Sequence, residues 1–588
     1  MPTTQAFLFV DGTRIESPKS NVVQEIVVEQ HVHLPDMFTI RLTDSNLLEF
    51  LDKGLLDLTK TVEVRVNTEE EVVHTLMKGE ITSLEPAFDE GMNAELIVRG
   101  YDQSHRMFRE THSRAFLNIK DSDLASQFAG EAGLSPSVDT TSTVYEHLYQ
   151  DNQSNLAYLT HRAWRIGYEC YVEDKTLYFR KPKMEGNVKL TWGDNLLSFY
   201  PRVTLAEQVD EVFVRGWDVA EQAPIVGRAS GNSGNLYPGI PEKKGPQWAS
   251  KFGTGKFVVV DQPVVSQAEA DILAQARLDE FSGSYIQAEG TAFRCPEIRA
   301  GKIVNIKALG ERLSGDYLVT SARHVYTEKG LHTHFSVRGA KTGTLAEELA
   351  PEQKIHRWPG VVIGKVTNVD DPDKWGRVKL KFPWMSDDAE SDWARVASAG
   401  GGQEAGLYAI PHIEDEVLVA FEYGDINQPF VLGGLWSSPI KIPPDAGTGG
   451  EQPKTRIWQT VAGHKISMFD NAEDKIELVT KGGHALTISD KEKKISIIST
   501  GGNKIIIDDN SNTITVESNQ TVEVKAASDV TVTAGTSMEF QAGTNIEMKA
   551  GSGIKLTAGG KVEAQAGATA DITGAAGVNV KGAMINLN

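Results

Sequence analysis

The sequence predicts a mainly β chain in three zones: a hub of strand clusters with a few helices, a small barrel of the oligonucleotide/oligosaccharide-binding (OB) type, and a carboxy-terminal β-prism wound from three copies of the chain. Three observations predict it. Residues 1–350 carry repeated runs in the two-residue strand period, residues 355–440 pack five short strands between tight turns, and the stretch from Thr521 onward repeats every eight residues.

In the first zone AFLFV (6–10), EIVVEQHVH (25–33), FTIRLTD (38–44), TVEVRVN (61–67) and AELIVRG (94–100) read as strands, with Val62, Val64 and Val66 on one face. Two helices follow as a waist. One runs from Asp121 to about Gly133 with Asp121 or Ser122 as N-cap, the other from about Ser154 to Gly167 with Leu156, Leu159 and Ala163 on one side. A hairpin, YECYVEDKTLYFRKP, comes next. A second strand cluster opens at DEVFVRGW, and residues 220–255, rich in Gly, Pro and Ser, read as a long surface insertion. The helix QAEADILAQARLDEF and the strands GKIVNIK, DYLVTSARHVY and HTHFSVRG complete the zone.

The second zone gives GVVIGKVTNV, GRVKLKF, WARVAS, EVLVAFE and FVLGGLW, five strands suited to an OB barrel. The turn DDPDKWG has a mechanism: Pro372 presets φ and Gly376 permits the exit.

The third zone, 454–588, has no proline. From Thr521 it divides into TVEVKAAS, DVTVTAGT, SMEFQAGT, NIEMKAGS, GIKLTAGG, KVEAQAGA, TADITGAA and GVNVKGAM, with looser versions upstream at Ile505/Ile507 and Ile514/Val516. Apolar residues two apart share a face, and the Ala-Gly step lets the chain bend. Burying two modest side chains per octad contributes about 3–6 kcal/mol. Ordering eight residues costs at least about 8 kcal/mol of backbone entropy. A lone chain would also leave its strand edges unpaired. Three chains wound together bring Val522, Val524, Val530, Val532, Met538, Phe540, Ile546, Met548, Ile554, Leu556, Val562, Val578 and Val580 to a common axis and pair every edge; a single-chain solenoid is the rival, and an eight-residue coil is short for its three-sided turn. Aspartate at Ile546 and Ile554 is expected to block assembly by placing charges on that axis.

The formal charge of −21 falls almost wholly on the first 453 residues, and it argues against nucleic acid or anionic lipid as a primary partner. Two cysteines, Cys170 and Cys295, exclude a disulfide framework and a cysteine zinc cluster. No apolar run reaches the 18 or so residues of a membrane span, and MPTTQAFLFVDG lacks the basic flank of a secretory signal.

The scan for chemistry is mostly negative. FGTGKF (252–257) lacks the Ser/Thr of a phosphate loop, and neither HExxH nor GxSxG occurs. His31/His33 and His332/His334 are His-x-His pairs on expected strands that could share a metal, though strand histidines facing solvent or a subunit are the plainer reading. Glu414, Asp415 and Glu416 read as a solvated turn rather than as paired catalytic acids. Arg377, Lys379 and Lys381 form a basic face near Trp375, Trp384 and Trp393, but the flanking DDPD and SDDAESD argue against a nucleic-acid surface. No catalytic residue, cofactor or metal is assigned.

The order DPDKWGRV (371–378), FPW (382–384), WARV (393–396), DEVLVAF (415–421) and Gly424, Asp425, Pro429, Leu432, Gly433 resembles the OB domain of VgrG proteins and phage baseplate V spikes. Its motif falls here on Asp371, Pro372, Gly376, Arg377, Phe382, Pro383, Trp384, Trp393, Gly424, Asp425 and Pro429. The first zone resembles, through RIGYECYVEDKTLYFRKP, PEIRAGKIVNI and SGDYLVTSARHVY, the phage late control D hub, and the octads resemble the triple-stranded β-helix needle. The resemblance implies a β-barrel hub with two barrels (1–350), an OB-fold collar (355–440) and a needle (454–588). It implies a homotrimeric, non-enzymatic spike of a contractile, phage-tail-like injection system, joining a hexameric Hcp-like inner tube and baseplate proteins to a membrane-puncturing needle. A PAAR-repeat cap would dock at Met584, Ile585 and Leu587, and effector cargo could ride with it. It also implies assembly in the bacterial cytoplasm without a signal peptide, then residence in an injection particle, extracellular or cell-anchored. The compact form, without an inserted lysozyme or a terminal effector domain, looks most like the extracellular injection systems. The alternative is a trimeric tail fibre or adhesin that binds or cleaves surface glycan.

Overall fold

A computed structural model describes the chain except for residues 1–3, 16–21, 44–47, 70–71, 91–92, 219, 232–237, 243, 340–356, 387–388, 447–453 and 587–588. It forms two units, Met1–Ile442 and Pro443–Asn588. The expected junctions near 350 and just before 454 fall outside the described residues.

In the first unit the two strand clusters share one sheet of eleven strands. Ser321–Thr327 of the second cluster pairs antiparallel with Val23–His31 of the first, Val325 opposite Val27. Period-two alternation puts Val62, Val64 and Val66 into one core with Phe38, Ile40 and Leu96. Phe335, Ile286 and Tyr317 anchor a second core. One strand differs from its expected span: it ends at His31, and His33 lies in the following turn at φ +82°.

The waist forms largely as expected. Helix Asn155–Arg165 starts on Ser154, whose side chain accepts from the Ala157 N–H at 3.3 Å, and Gly167 at φ +70° follows its end. Helix Asp121–Glu131 differs at its start: Lys120 holds the N-cap position, and Asp121 is buried against Arg162 at 2.6 and 3.1 Å. An aspartate at a helix N-terminus is electrostatically favourable there without acting as the cap.

Residues 220–255 differ more. Ala223–Ser230 is a full strand, antiparallel to Glu211–Asp218, and Lys256–Val259 runs parallel on the other side of Glu211–Asp218. The cause is helix Gln267–Gly283, which covers this sheet. Ile225 and Ala229 are buried beneath it, and a Cβ on Gly227 would lie 2.3 Å from the Ala270 backbone.

The OB zone is a five-stranded sheet in the order Lys379–Lys381, Val361–Asn368, Glu416–Phe421, Pro429–Gly434, Arg395–Val396. Val366, Val378, Leu380, Phe382, Val417, Val419 and Val431 fill its core together with Tyr149 from the waist.

The second unit divides at about Ser518. From Thr455 to Glu517 seven five-residue strands form an antiparallel meander in sequence order. From Thr521 onward no described residue belongs to a strand, and the chain runs extended with a bend in each octad.

Candidate functional site

The OB motif closes a knot at one turn. Asp371 accepts backbone N–H bonds from Asp373 (3.1 Å), Trp375 (2.8 Å) and Arg377 (3.2 Å), and the Arg377 guanidinium meets it at 2.6 Å. Arg377 also binds Asp373 at 2.6 Å and lies over the Trp375 and Trp393 rings, 4.6 and 5.8 Å from their centroids. Burial would raise the Asp371 carboxyl, but the Arg377 side chain and the converging N–H groups outweigh it and hold it at about 2. The basic face is therefore already engaged, since Arg377 serves two aspartates and Lys379 lies 3.6 Å from Glu390. Trp384 stacks on Phe382 and Trp358 at 5.1 and 4.5 Å as part of the collar packing.

The Gly-Asp element ties the collar to the waist. Gly424 sits at φ +79°, where a Cβ would come within 3.1 Å of the Trp358 carbonyl. Asp425 accepts from the Asn427 backbone and side chain at 3.0 and 2.9 Å, and the Asn427 side-chain carbonyl then accepts the Tyr149 N–H at 2.8 Å. The Trp358 indole donates to Asp151, and His147 Nε2 bonds the Glu390 carbonyl at 2.9 Å. Asn427, Tyr149, His147 and Asp151 make contacts between the collar and the segment Tyr145–Gln153 that the sequence pattern did not single out. The signal available was the GD-I-N run, because an Asx turn leaves the asparagine oxygen free to reach a second segment. Pro429 opposes Phe421 at the end of its strand pair.

The remaining candidates do not converge. His33 Nδ1 accepts the Cys170 N–H at 3.3 Å, so His31 and His33 do not share a strand face. His334 bonds Thr291 at 3.1 Å, and His332 packs on Phe293. Glu414 pairs with Lys365, and Asp415 accepts the His412 N–H at 2.8 Å. Among the described residues no group of three His, Cys, Asp or Glu side chains is placed to hold a metal.

The second unit exposes what a folded chain normally hides. Cross-strand partners align its apolar residues in two columns. The first is Trp458, Ile466, Leu478, Leu486, Ile497, Ile505, Val516; the second, after Arg456, is Met468, Ile476, Ile488, Ile495, Ile507, Ile514. These apolar side chains are 36% to 73% exposed. The opposite face is the more covered one. It carries Ser467 and Ser489, both buried, and cross-strand ion pairs Lys494–Asp508 (3.4 Å) and Lys504–Glu517 (2.9 Å). Farther on, the octad residues Val522, Val524, Val530, Val532, Met538, Phe540, Ile546, Met548, Ile554, Leu556, Val562, Val578 and Val580 are 44% to 74% exposed. Met584 and Ile585 are exposed as well; Leu587 lies outside the described residues. So large an apolar surface marks an interaction face.

Comparison with known proteins finds similarity over parts of the chain. The profile described as Alg8 N-terminal domain matches residues 3–328, the span that resembles a late control D hub. The profile described as type VI secretion system/phage-baseplate injector OB domain matches residues 362–436. The type VI secretion system spike protein VgrG5 of Pseudomonas aeruginosa is 44% identical over 87 residues, covering 14% of this chain and 11% of that protein. Spike protein VgrG3 of Vibrio cholerae serotype O1 is 28% identical over 193 residues, covering 30% of this chain and 19% of that protein. The matches thus span under a fifth of either relative's length. Among solved structures, an E. coli component of the type VI secretion system, itself similar to T4 bacteriophage tail proteins, aligns with a TM-score of 0.48 at 13% identity over 73% of this chain and 99% of its own. A Francisella PdpA–VgrG complex aligns with a TM-score of 0.48 at 8% identity over 87% of this chain and 80% of its own.

Proposed function

Because the chain belongs to the VgrG and phage-baseplate spike family, its residues 3–328 being an Alg8 N-terminal domain, we propose that it is the non-enzymatic central spike of a contractile, phage-tail-like injection system. Three copies join the inner tube to a needle that pierces a membrane. The observation that carries this reading is the octad segment. Its apolar pairs are exposed along one chain, and its backbone groups have no in-chain ladder, so both needs are met together by two further copies.

The other roles follow from that one. The hub, residues 1–350, meets a hexameric inner tube and baseplate proteins. The collar transmits load through the Asn427–Tyr149 contact to the waist. Met584, Ile585 and Leu587 receive a PAAR-repeat cap, and effector cargo travels with the assembly. The particle is built in the bacterial cytoplasm and acts from a cell-anchored or released machine. The curated relatives bear the name spike protein, and the sequence lacks the HExxH and GxSxG signatures, which supports a role without catalysis.

Sedimentation velocity with electron microscopy of the purified chain tests the reading. The expected particle has three times the 64.2 kDa chain mass and a thin shaft, and a particle of single-chain mass refutes it. Met584→Asp with Ile585→Asp is expected to abolish capture of a purified PAAR-repeat protein; unchanged capture refutes the docking assignment.

A further inference from the structure

One strand of the waist holds the collar through alternate residues. Along Tyr145–Gln153, His147 meets the Glu390 carbonyl, Tyr149 the Asn427 side chain and Asp151 the Trp358 indole. Leu148, between the first two, is buried in the waist core, whereas Tyr149 packs in the collar core. The strand is a splint with one side in each body.

The His147 contact differs from the other two because its donor can take up a proton. A carbonyl oxygen only accepts, so the 2.9 Å contact places the ring proton on Nε2. Nδ1 of the neutral ring is then a bare acceptor. It is enclosed, and among the described residues no group bonds to it. The residue as a whole is 9% exposed. A second proton must go to Nδ1, where it would create an N–H without an acceptor and a full charge in the joint. Burying such a group costs far more than burying a bare lone pair. The collar backbone is not free to turn and meet it. Ala389 and Ser391, on either side of Glu390, donate their N–H groups to the Ser386 and Leu380 carbonyls at 3.1 and 2.7 Å.

The charges around the ring do not reverse this. From the collar, Asp392 favours the charged ring and Lys379, 3.6 Å from the Glu390 carboxylate, opposes it. From the pairing strand, Leu117 stands opposite His147 and brings no charge. On the splint itself Glu146 is exposed, and Asp151 is engaged by Trp358. Arg162 of the waist helix lies over Tyr145 at 4.3 Å and is bound to Asp121. Burial outweighs Asp392 and the Glu390 carbonyl, Lys379 adds to it, and the His147 pKa is lowered.

We propose that His147 is a proton-operated latch between waist and collar: the neutral ring grips the Glu390 carbonyl, and a second proton on Nδ1 releases it, freeing the collar to move against the waist. In the open joint the ring takes that proton near its ordinary value of about 6.5. In the closed joint it does so only at lower pH. The grip is therefore full above about pH 7 and weakens as pH falls below about 6.5, the opening constant rising by up to about tenfold at pH 5.5. The inference rests on the joint alone and not on the spike reading.

The readout must be local, because burial raises Asp36 and Asp102 in the hub and their protonation stabilises the fold in acid. Hydrogen exchange of the full chain, followed by mass spectrometry at about pH 7.5 and about pH 5.5, supplies it, with labelling times scaled to the intrinsic exchange rate. Opening of Tyr145–Gln153 is expected to rise several-fold in acid, while the collar strands Val361–Asn368 and Glu416–Phe421 keep their protection. No rise, or a tighter segment in acid, overturns the latch. His147→Gln keeps a donor but does not titrate, so its opening is expected to be the same at both pH values whatever its level; a retained rise overturns the assignment. His161→Gln, which changes the other histidine of the same crevice, is expected to keep the native rise, and losing it would move the sensor to His161. Asp392→Asn leaves the ring untouched and can still accept the Trp393 N–H. It removes the carboxylate that favours the charged ring, so the rise is expected to grow, and a smaller rise overturns the proposal.

Discussion

Arg377 binds Asp371 through backbone and side chain at once, its N–H at 3.2 Å and its guanidinium at 2.6 Å, so one arginine both closes the collar turn and neutralises the acid inside it. The Asp371 side chain is almost fully buried, and a buried acid–base contact of this kind is costly to halve. Asp371→Asn is expected to lower collar stability by about 3 kcal/mol at neutral pH. The Asp371 carboxyl is held at about 2, below its unfolded value. Its contribution is therefore full above about pH 4 and lost as pH falls through about 2. Denaturant unfolding followed by tryptophan fluorescence should show the gap between the two proteins closing across that window. A gap independent of pH would mean that the carboxylate charge plays no part.

Some of this fold is legible in the residues alone, and the limits have physical causes. Strands with strict alternation, such as that holding Val62, Val64 and Val66, declare their buried face, because period two has one geometric meaning. The DPDKWGRV run declares a turn, although spacing does not reveal its inward-facing acid or the double arginine contact. Ala223–Ser230 stays hidden because Pro224 and Gly227 read as breakers, and only the covering helix makes glycine a requirement there. The upstream columns stay hidden because their spacing is nine or ten residues. Against an octad template they look like faulty repeats, whereas the longer unit gives the chain room to turn back and pair with itself. The Tyr149–Asn427 contact joins residues 278 apart, a separation that local pattern does not encode.

Gly227 offers a test of the hidden strand. A Cβ there would fall 2.3 Å from the Ala270 carbonyl carbon and oxygen, atoms of a helix backbone that cannot swing aside. Gly227→Ala is expected to cost about 1–3 kcal/mol, the usual penalty for overpacking. Hydrogen exchange should rise in both Ala223–Ser230 and the facing part of Gln267–Gly283. Exchange unchanged in the helix would show that the two do not pack as described.

The hub carries an acid pair with an opposite pH dependence. The Asp36 N–H donates to an Asp102 carboxylate oxygen at 2.7 Å. Burial raises Asp102 to about 6 against the pull of its hydrogen bonds to Ser104 and Asp36. Burial and the neighbouring Asp102 raise Asp36 well above the carboxylate range, opposed by Arg299. Protonation thus favours the folded state, so the hub gains stability as pH falls from 7 through about 6 and loses it as pH rises. Thermal melting should be higher at about pH 5.5 than at about 7.5. Asp36→Asn, which mimics the neutral acid, should change stability at pH 7 by no more than about 1 kcal/mol. A melting temperature that falls on acidification over this range would contradict the assignment.

Asn427 decides whether the collar and the waist act as one body within the first unit. Its side-chain carbonyl accepts the Tyr149 N–H at 2.8 Å while its amide is held by Asp425 at 2.9 Å, so the side chain bridges two elements. Tyr149 is buried and packs with the collar core, which means that losing the bridge removes the partner of its part-buried N–H. Asn427→Ala is expected to cost about 1–3 kcal/mol, the penalty of an unsatisfied buried donor. Because Val366, Leu380 and Val419 are untouched, the collar itself should stay folded. Hydrogen exchange is therefore expected to rise at Tyr145–Gln153 while the central collar strands Val361–Asn368 and Glu416–Phe421 keep their protection. If those strands open as well, the asparagine supports the barrel rather than the joint. If Tyr145–Gln153 stays protected, load passes from collar to waist through the Trp358–Asp151 and His147–Glu390 contacts without it.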